Sequence, residues 1–292
     1  MWFATRMPLS VIRHDDAGEF LDRVGGFLGD HEAENNLLFG ILDGLRRDRA
    51  ISDGPPLLAE VRDGDEILAV ALRTPPRNLV LAVCQAPAAI DALVDDLVAA
   101  GEALPGALGP VDAIHRFVVR WTALTGQPNR RQLGERAFRL SRVIPPMAPA
   151  GEMRLAGAGD FQLLVDWLIA FTGEALPEED NEVLDAERAV RRWLDHGYRC
   201  NYLWEVDGEA VSWAGAGGRT PHGTRIGPVY TPPEHRRRGY AGALVAAASQ
   251  AQLDEGLEFC FLFTDLANPT SNHVYQAIGY EPVTDIDVYV FG

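Results

Sequence analysis

Cysteine is scarce in this chain, three in 292 residues. Cys84, Cys200 and Cys260 are far apart and odd in number, which gives neither a disulfide framework nor zinc-ligand spacing. They read as core thiols in a reducing compartment, and no metal site is expected. No apolar run approaches the ~20 residues needed to cross a bilayer. The opening residues, Met1-Trp2-Phe3-Ala4-Thr5-Arg6-Met7-Pro8, lack the layout of a secretion signal. A cytoplasmic location with no membrane partner is the expectation. Basic residues are outnumbered, 26 Lys and Arg against 42 Asp and Glu, for a net charge of −16. Nucleic acid needs a basic face to meet its phosphates, so it is not an expected partner. Acidity serves solubility, and it would also draw a cationic amine toward an acidic cleft. A Gly-x-Gly-x-x-Gly turn with a ribose-binding acid downstream is missing too, which removes the dinucleotide-binding reading.

What is present concentrates between Arg225 and Tyr280. A short apolar strand, Ile226 to Tyr230, stops at Pro232-Pro233, since proline cannot donate to a ladder. Arg236, Arg237 and Arg238 follow, then Gly239 at the start of an Ala-rich helix in which Ala241, Leu244, Val245 and Ala248 keep helical spacing. Gly256 suits the position after its last turn. The leading amides of a helix have no intrahelical acceptor, and the macrodipole adds positive character there. A glycine at that point lets a phosphate approach the backbone. The plain alternative is a loop with a solvated basic face.

Arg236-Arg237-Arg238-Gly239-Tyr240-Ala241 resembles the Arg/Gln-x-x-Gly-x-Gly/Ala signature of the GNAT superfamily of N-acetyltransferases, in the same setting between a strand and a long helix. A strand-like run, Leu257 to Asp265, follows, and then Asn268-Pro269-Thr270-Ser271-Asn272-His273-Val274-Tyr275-Gln276-Ala277-Ile278-Gly279-Tyr280, which resembles the family's next element. Asn268 suits an N-cap, Pro269 the first helical position and Gly279 the αL stop. The resemblance implies a pyrophosphate held by Arg236, Arg237, Arg238, Gly239, Tyr240, Ala241 and Gly242. It also implies a pantetheine arm along the backbone of Val229, Tyr230 and Thr231, with Asn268 and Ser271 near the cofactor. Tyr275 would then lie near the sulfur. A phenol with a reference pKa near 10 is protonated at neutral pH, so Tyr275 is the candidate acid for a departing thiolate.

The fold class expected is α/β (α+β), two tandem GNAT-like domains, each a mixed central sheet flanked by helices. The second half repeats the element order of the first, β-α-α-β-β-β-α-β-α-β. Ala59-Glu60-Val61-Arg62-Asp63-Gly64 parallels Leu203-Trp204-Glu205-Val206-Asp207-Gly208, and Leu124-Thr125-Gly126-Gln127-Pro128 parallels Ala277-Ile278-Gly279-Tyr280-Glu281-Pro282. Two unrelated α/β domains are the alternative. Residues 1–146 form the expected first domain, 147–151 the linker (within Pro145 to Gly151) and 152–292 the second. In the first half a strand over Leu79 to Cys84 runs into Gln85-Ala86-Pro87-Ala88-Ala89, without arginine or glycine, and Thr122 stands where the second half has Tyr275. The first copy is therefore expected to have lost cofactor binding and to serve as a wall of the acceptor site or a dimer contact.

These features lead to an acetyl-CoA-dependent N-acetyltransferase acting on a primary amine by direct attack in a ternary complex, as monomer or homodimer. A non-catalytic acyl-CoA sensor or a scaffold on the same fold is the alternative. No carboxylate stands between Arg225 and Tyr230 to act as base. Glu174, Glu178, Glu179 and Asp180 cluster in the region that lines the acceptor cleft in relatives, and also read as a solvated acidic loop. His222 reads as a bystander, and Asp265 as a loop cap.

Overall fold

The structure is a computed structural model that describes residues 9–48, 51–147, 149–175, 183–196 and 199–292. Glu178, Glu179 and Asp180 lie outside the described residues. The chain forms two compact units that do not follow its order along the sequence: the first comprises residues 1–137, 264–267 and 282–292, the second residues 138–263 and 268–281.

The first unit opens with β1 (Ser10–His14), α1 (Ala17–Gly29) and α2 (Asn36–Arg47), then β2 (Leu57–Asp63), β3 (Glu66–Arg73) and β4 (Leu79–Leu81). It continues through α3 (Pro87–Ala99), β5 (Gly106–Pro110), α4 (Val111–Thr125) and the start of β6 (Asn129–Leu140). Asp16 caps α1, its Oδ1 accepting from the amides of Gly18 and Glu19 at 2.8 and 3.0 Å, and an αL glycine, Gly126, closes α4. β1, β2, β3 and β4 pair antiparallel in that order, and β4 pairs parallel with β5. Side-chain alternation sends Leu58, Val70 and Leu72 onto Phe20, Val24 and Leu42 of α1 and α2. Ala59, Val61 and Ala71 face Leu93, Phe117 and Trp121 of α3 and α4.

The sixth strand of this sheet comes from the far end of the chain. β12 (Glu281–Phe291) pairs antiparallel with β5, from Ile286 opposite Pro110 to Val290 opposite Gly106. Asp287 of β12 is 4% exposed. It meets Arg131 Nη2 at 2.5 Å and His115 Nε2 at 2.9 Å. Burial opposes its ionisation, but these hydrogen bonds outweigh that and hold its carboxyl below the usual carboxylate range. Asp285 takes a two-point contact from Arg136, at 2.6 and 2.9 Å.

The second unit holds β7 (Glu152–Leu155), α5 (Phe161–Ala175), α6 (Val183–His196), β8 (Arg199–Val206), β9 (Glu209–Gly217) and β10 (Gly223–Tyr230). Then come α7 (Tyr240–Asp254), β11 (Phe259–Asp265) and α8 (Pro269–Ala277). β7, β8, β9 and β10 are antiparallel neighbours, and β10 and β11 are parallel. Asp207 and Gly208, both at positive φ, turn the β8–β9 hairpin. One face packs on α7 through Leu244, Val245 and Ala248. The other packs on α5 and α6 through Leu164, Val190, Trp213 and Tyr230. Both units have the mixed-sheet α/β character expected.

Several boundaries differ from those expected. β4 ends at Leu81, because the Val83 amide donates to Asn35 Oδ1 at 3.0 Å and does not continue the ladder. β5 fills the strand place between two helices in the expected element order, at residues Gly106–Pro110 to which no strand was assigned. β6 begins at Asn129 and runs over a polar stretch.

Candidate functional site

The site is built where β10 leaves β11. Their parallel pairing runs from Gly223 opposite Phe259 to Arg225 opposite Phe261 and ends there, although both strands continue. β9 follows β10 further, to Tyr230 opposite Trp213, with a register shift between Ile226 and Val229. Beyond Arg225, then, β10 is held on its β9 side while its other edge opens. Val229 and Tyr230 lie on that stretch. Thr231 is fixed just after it: its hydroxyl is 2.8 Å from that of Ser212, which also donates to Tyr230 O at 3.2 Å.

The loop that follows runs to Gly239, which has φ +83 and is the N-cap residue of α7. A Cβ there would meet nothing within 4 Å, so its backbone faces open space. The ladder of α7 begins with Ala243 N–H donating to Gly239 O at 3.0 Å. The amides of Tyr240, Ala241 and Gly242 precede it and carry the positive end of the helix. Arg237 and Arg238 are exposed and make no ion pair among the described residues. Arg237 itself has φ +61, an uncommon backbone for a non-glycine residue. Arg236 is engaged differently. Its Nε donates to Thr231 O at 2.8 Å and its Nη2 meets Glu174 of α5 at 2.7 and 2.8 Å. Both side chains are about half exposed, so the pair adds little to stability.

The other expected residues fall as follows. Tyr240 is buried and Ala241 half-buried. Gly242 is buried too, its α-carbon turned to Val274 of α8, whose Cγ1 would be 3.2 Å from an added Cβ. Asn268 caps α8 by accepting the Ser271 amide at 3.1 Å. Tyr275 packs against the core cluster on α7, with its ring 6.2 Å from that of Tyr280. Burial pushes its phenol up to about 12, and its hydroxyl has no hydrogen-bond partner among the described residues. Asp265 accepts from the Ala267 amide at 2.7 Å, a loop cap. His222 precedes β10, at the opposite end of that strand from the loop, and its carbonyl takes the amides of Glu258 and Phe259. Ser212 and the Glu174–Arg236 contact were not expected; the one available signal was a lone hydroxyl within the apolar run Ala210 to Ala214.

The acetyltransferase (GNAT) family model matches residues 161–280. That span is a GNAT domain. No curated protein sequence matches the chain. Among solved structures, a Drosophila protein aligns with TM-score 0.66 at 14% identity, over 97% of this chain and 98% of its own. A tandem GNAT protein from the clavulanic acid biosynthesis pathway aligns with TM-score 0.59 at 13% identity, over 98% of each chain. A GNAT-family acetyltransferase from Colwellia psychrerythraea gives TM-score 0.56 at 8% identity, over 98% of this chain and 100% of its own. Identities this low speak to the fold, which is that of GNAT proteins including a tandem one. Among the described residues, no helix is long and apolar enough to cross a membrane, and no group of three or more His, Cys, Asp or Glu is placed to hold a metal ion.

Proposed function

We propose that the GNAT domain transfers an acetyl group from acetyl-CoA to a primary amine, by direct attack in a ternary complex. The observation that carries this is the αL Gly239 at the mouth of α7, with open space at its α-carbon, three leading helix amides and two exposed arginines. These are the parts of an anion site, and the open edge of β10 leads to it from the splay between the strands. Pantetheine would run along Val229, Tyr230 and Thr231.

The amine must arrive neutral. Its nitrogen attacks the thioester carbonyl, the carbonyl oxygen takes up negative charge near backbone donors of the open strand, and the C–S bond breaks as the carbonyl reforms. Tyr275 gives its proton to the departing sulfur. Burial keeps that proton in place at any physiological pH, the state a donor must start from. β10 carries no carboxylate and Glu174 is engaged by Arg236, so the ammonium loses one proton to solvent before attack, the attacking nitrogen loses a second through water, and water returns a proton to the Tyr275 phenolate. That lack of a placed base among the described residues is what favours the alternative, an acyl-CoA sensor that binds without turnover.

Among the described residues, the first unit lacks the glycine and the arginines of this site. Asn35 occupies the Val83 amide where an open strand edge would be needed, and the loop after it has neither glycine nor arginine. Taken as copies along the sequence, residues 1–146 and 152–292 would be a degenerate and a competent domain. Calorimetric titration with acetyl-CoA should therefore give one site per chain, abolished in Gly239→Asp, which places a carboxylate and a strained backbone at the anion site. Two sites, or full binding by the variant, would overturn the assignment.

A further inference from the structure

Arg236 belongs by position to the phosphate loop, yet its guanidinium is engaged elsewhere. Nε donates to Thr231 O at 2.8 Å, and Nη2 meets the two Glu174 oxygens at 2.7 and 2.8 Å. The guanidinium carbon also lies 5.9 Å from the centre of the Tyr230 ring, within the ~6 Å reach of a cation–π contact. A carboxylate, a carbonyl oxygen and an aromatic face gathered on one positive charge are the parts of a cation site. Here the protein supplies the cation from its own anion loop.

The fixed parts of this site and the movable one are easy to tell apart. Tyr230 is 7% exposed, and its ring lies 6.0 Å from that of Trp167 on α5. Burial first, and then the Glu174 charge, push its phenol up, so the ring stays neutral beside the carboxylate. The Thr231 hydroxyl is tied to Ser212 at 2.8 Å. Arg236 and Glu174, by contrast, are 41% and 50% exposed, and solvent weakens such a pair. A pyrophosphate at Gly239 would bring more negative charge than one carboxylate, at a helix end that favours anions. It is the stronger competitor for this guanidinium.

We propose that Arg236 holds the place of a cationic group of the acceptor, and that the pyrophosphate of acetyl-CoA takes its guanidinium off Glu174. Glu174, the Tyr230 face and Thr231 O then receive a positive charge from the acceptor. The inference rests on the acetyltransferase reading and adds a substrate class and a binding order. Thr231 is two residues beyond Val229, about 7 Å along a strand. The acceptor therefore carries a second cation, a short carbon chain away from the nitrogen that reacts. Glu174 stays ionised beside that cation, so it orients the acceptor and is not the base for the attacking nitrogen. One cation leaves as another enters, and the carboxylate keeps a partner throughout.

Glu174→Gln removes the competitor for Arg236, so acetyl-CoA should bind about threefold tighter or more, read by calorimetry. Glu234→Gln removes a charge from the same loop, and Glu234 makes no ion pair with Arg236 among the described residues. Its affinity should stay within about twofold of the parent. Cadaverine and pentylamine share a carbon chain and differ by the second ammonium. The full chain should favour cadaverine about tenfold or more in kcat/KM, chiefly through KM, and Glu174→Gln should erase that preference. Its tighter binding of acetyl-CoA also shows that the variant is folded. Unchanged or weaker acetyl-CoA binding by Glu174→Gln, an equal gain in Glu234→Gln, or equal use of the two amines overturns the proposal and leaves the acetyltransferase reading standing. Acetyl-CoA binding without acetylation of either amine overturns it as well. Failure of acetyl-CoA to bind at all defeats both.

Discussion

Tyr275 differs from an ordinary surface tyrosine only through burial, since no cation or hydrogen bond lowers its pKa. The sign of that shift decides how it acts. A phenol raised to about 12 stays protonated through the working range, so turnover should rise with pH as the amine loses its proton, with no descending limb from Tyr275 below about pH 11. Tyr275→Phe removes the proton and leaves the packing. It should lower kcat roughly 10²-fold or more with acetyl-CoA affinity nearly unchanged, as steady-state kinetics beside calorimetry would show. An unaltered kcat would remove the acid role. Arg236 illustrates the limit of reading one residue at a time. Its place in the phosphate loop is legible from the sequence, but its partner Glu174 is 62 positions away and no local pattern joins them.

At the scale of elements, legibility followed how local the signal was. α7, α8 and the β8–β9 hairpin carry their own stops and starts, Gly239, Gly256, Asn268-Pro269, Gly279 and Asp207-Gly208, and they form as expected. β5 reads Gly-Ala-Leu-Gly-Pro, which has the composition of a turn; it is a strand because β4 and β12 flank it, and because Gly109 lets Leu81 come close. The polar opening of β6 is likewise specified by partners distant in sequence. β12 was expected to complete the half it belongs to in sequence, and nothing near it announces its pairing with β5. Asp287 ties β12 to α4 and β6 through His115 and Arg131. A carboxyl whose folded pKa lies below its unfolded value contributes stability above the unfolded pKa, near 3.9, and loses it as pH falls through the folded pKa. Asp287→Asn should therefore cost about 1 kcal/mol at pH 7, discounted because Arg131 is half exposed. The difference from the parent should shrink toward pH 2, which denaturant titrations across pH would measure.

At the scale of the whole molecule, the first unit depends on residues 282–292. Deleting them exposes β5 as an unpaired edge and removes both acidic anchors of β12. The truncated chain should lose cooperative unfolding of its first unit and tend to aggregate, and hydrogen exchange over residues 57–110 should rise to that of an open sheet. Protection equal to the full chain would show that β12 is dispensable. A fragment ending near residue 146 should fail in the same way, even though it contains every helix of that unit.

The donation of β12 also orders events during synthesis. Ala137 leaves the ribosome about 150 residues before the strand that closes its sheet. At ~5–20 residues per second the N-terminal half waits roughly 7–30 s with β5 uncovered. Its fold is sealed only once residues 282–292 are made, so a ribosome that stops before them releases a chain whose beginning is also unfinished.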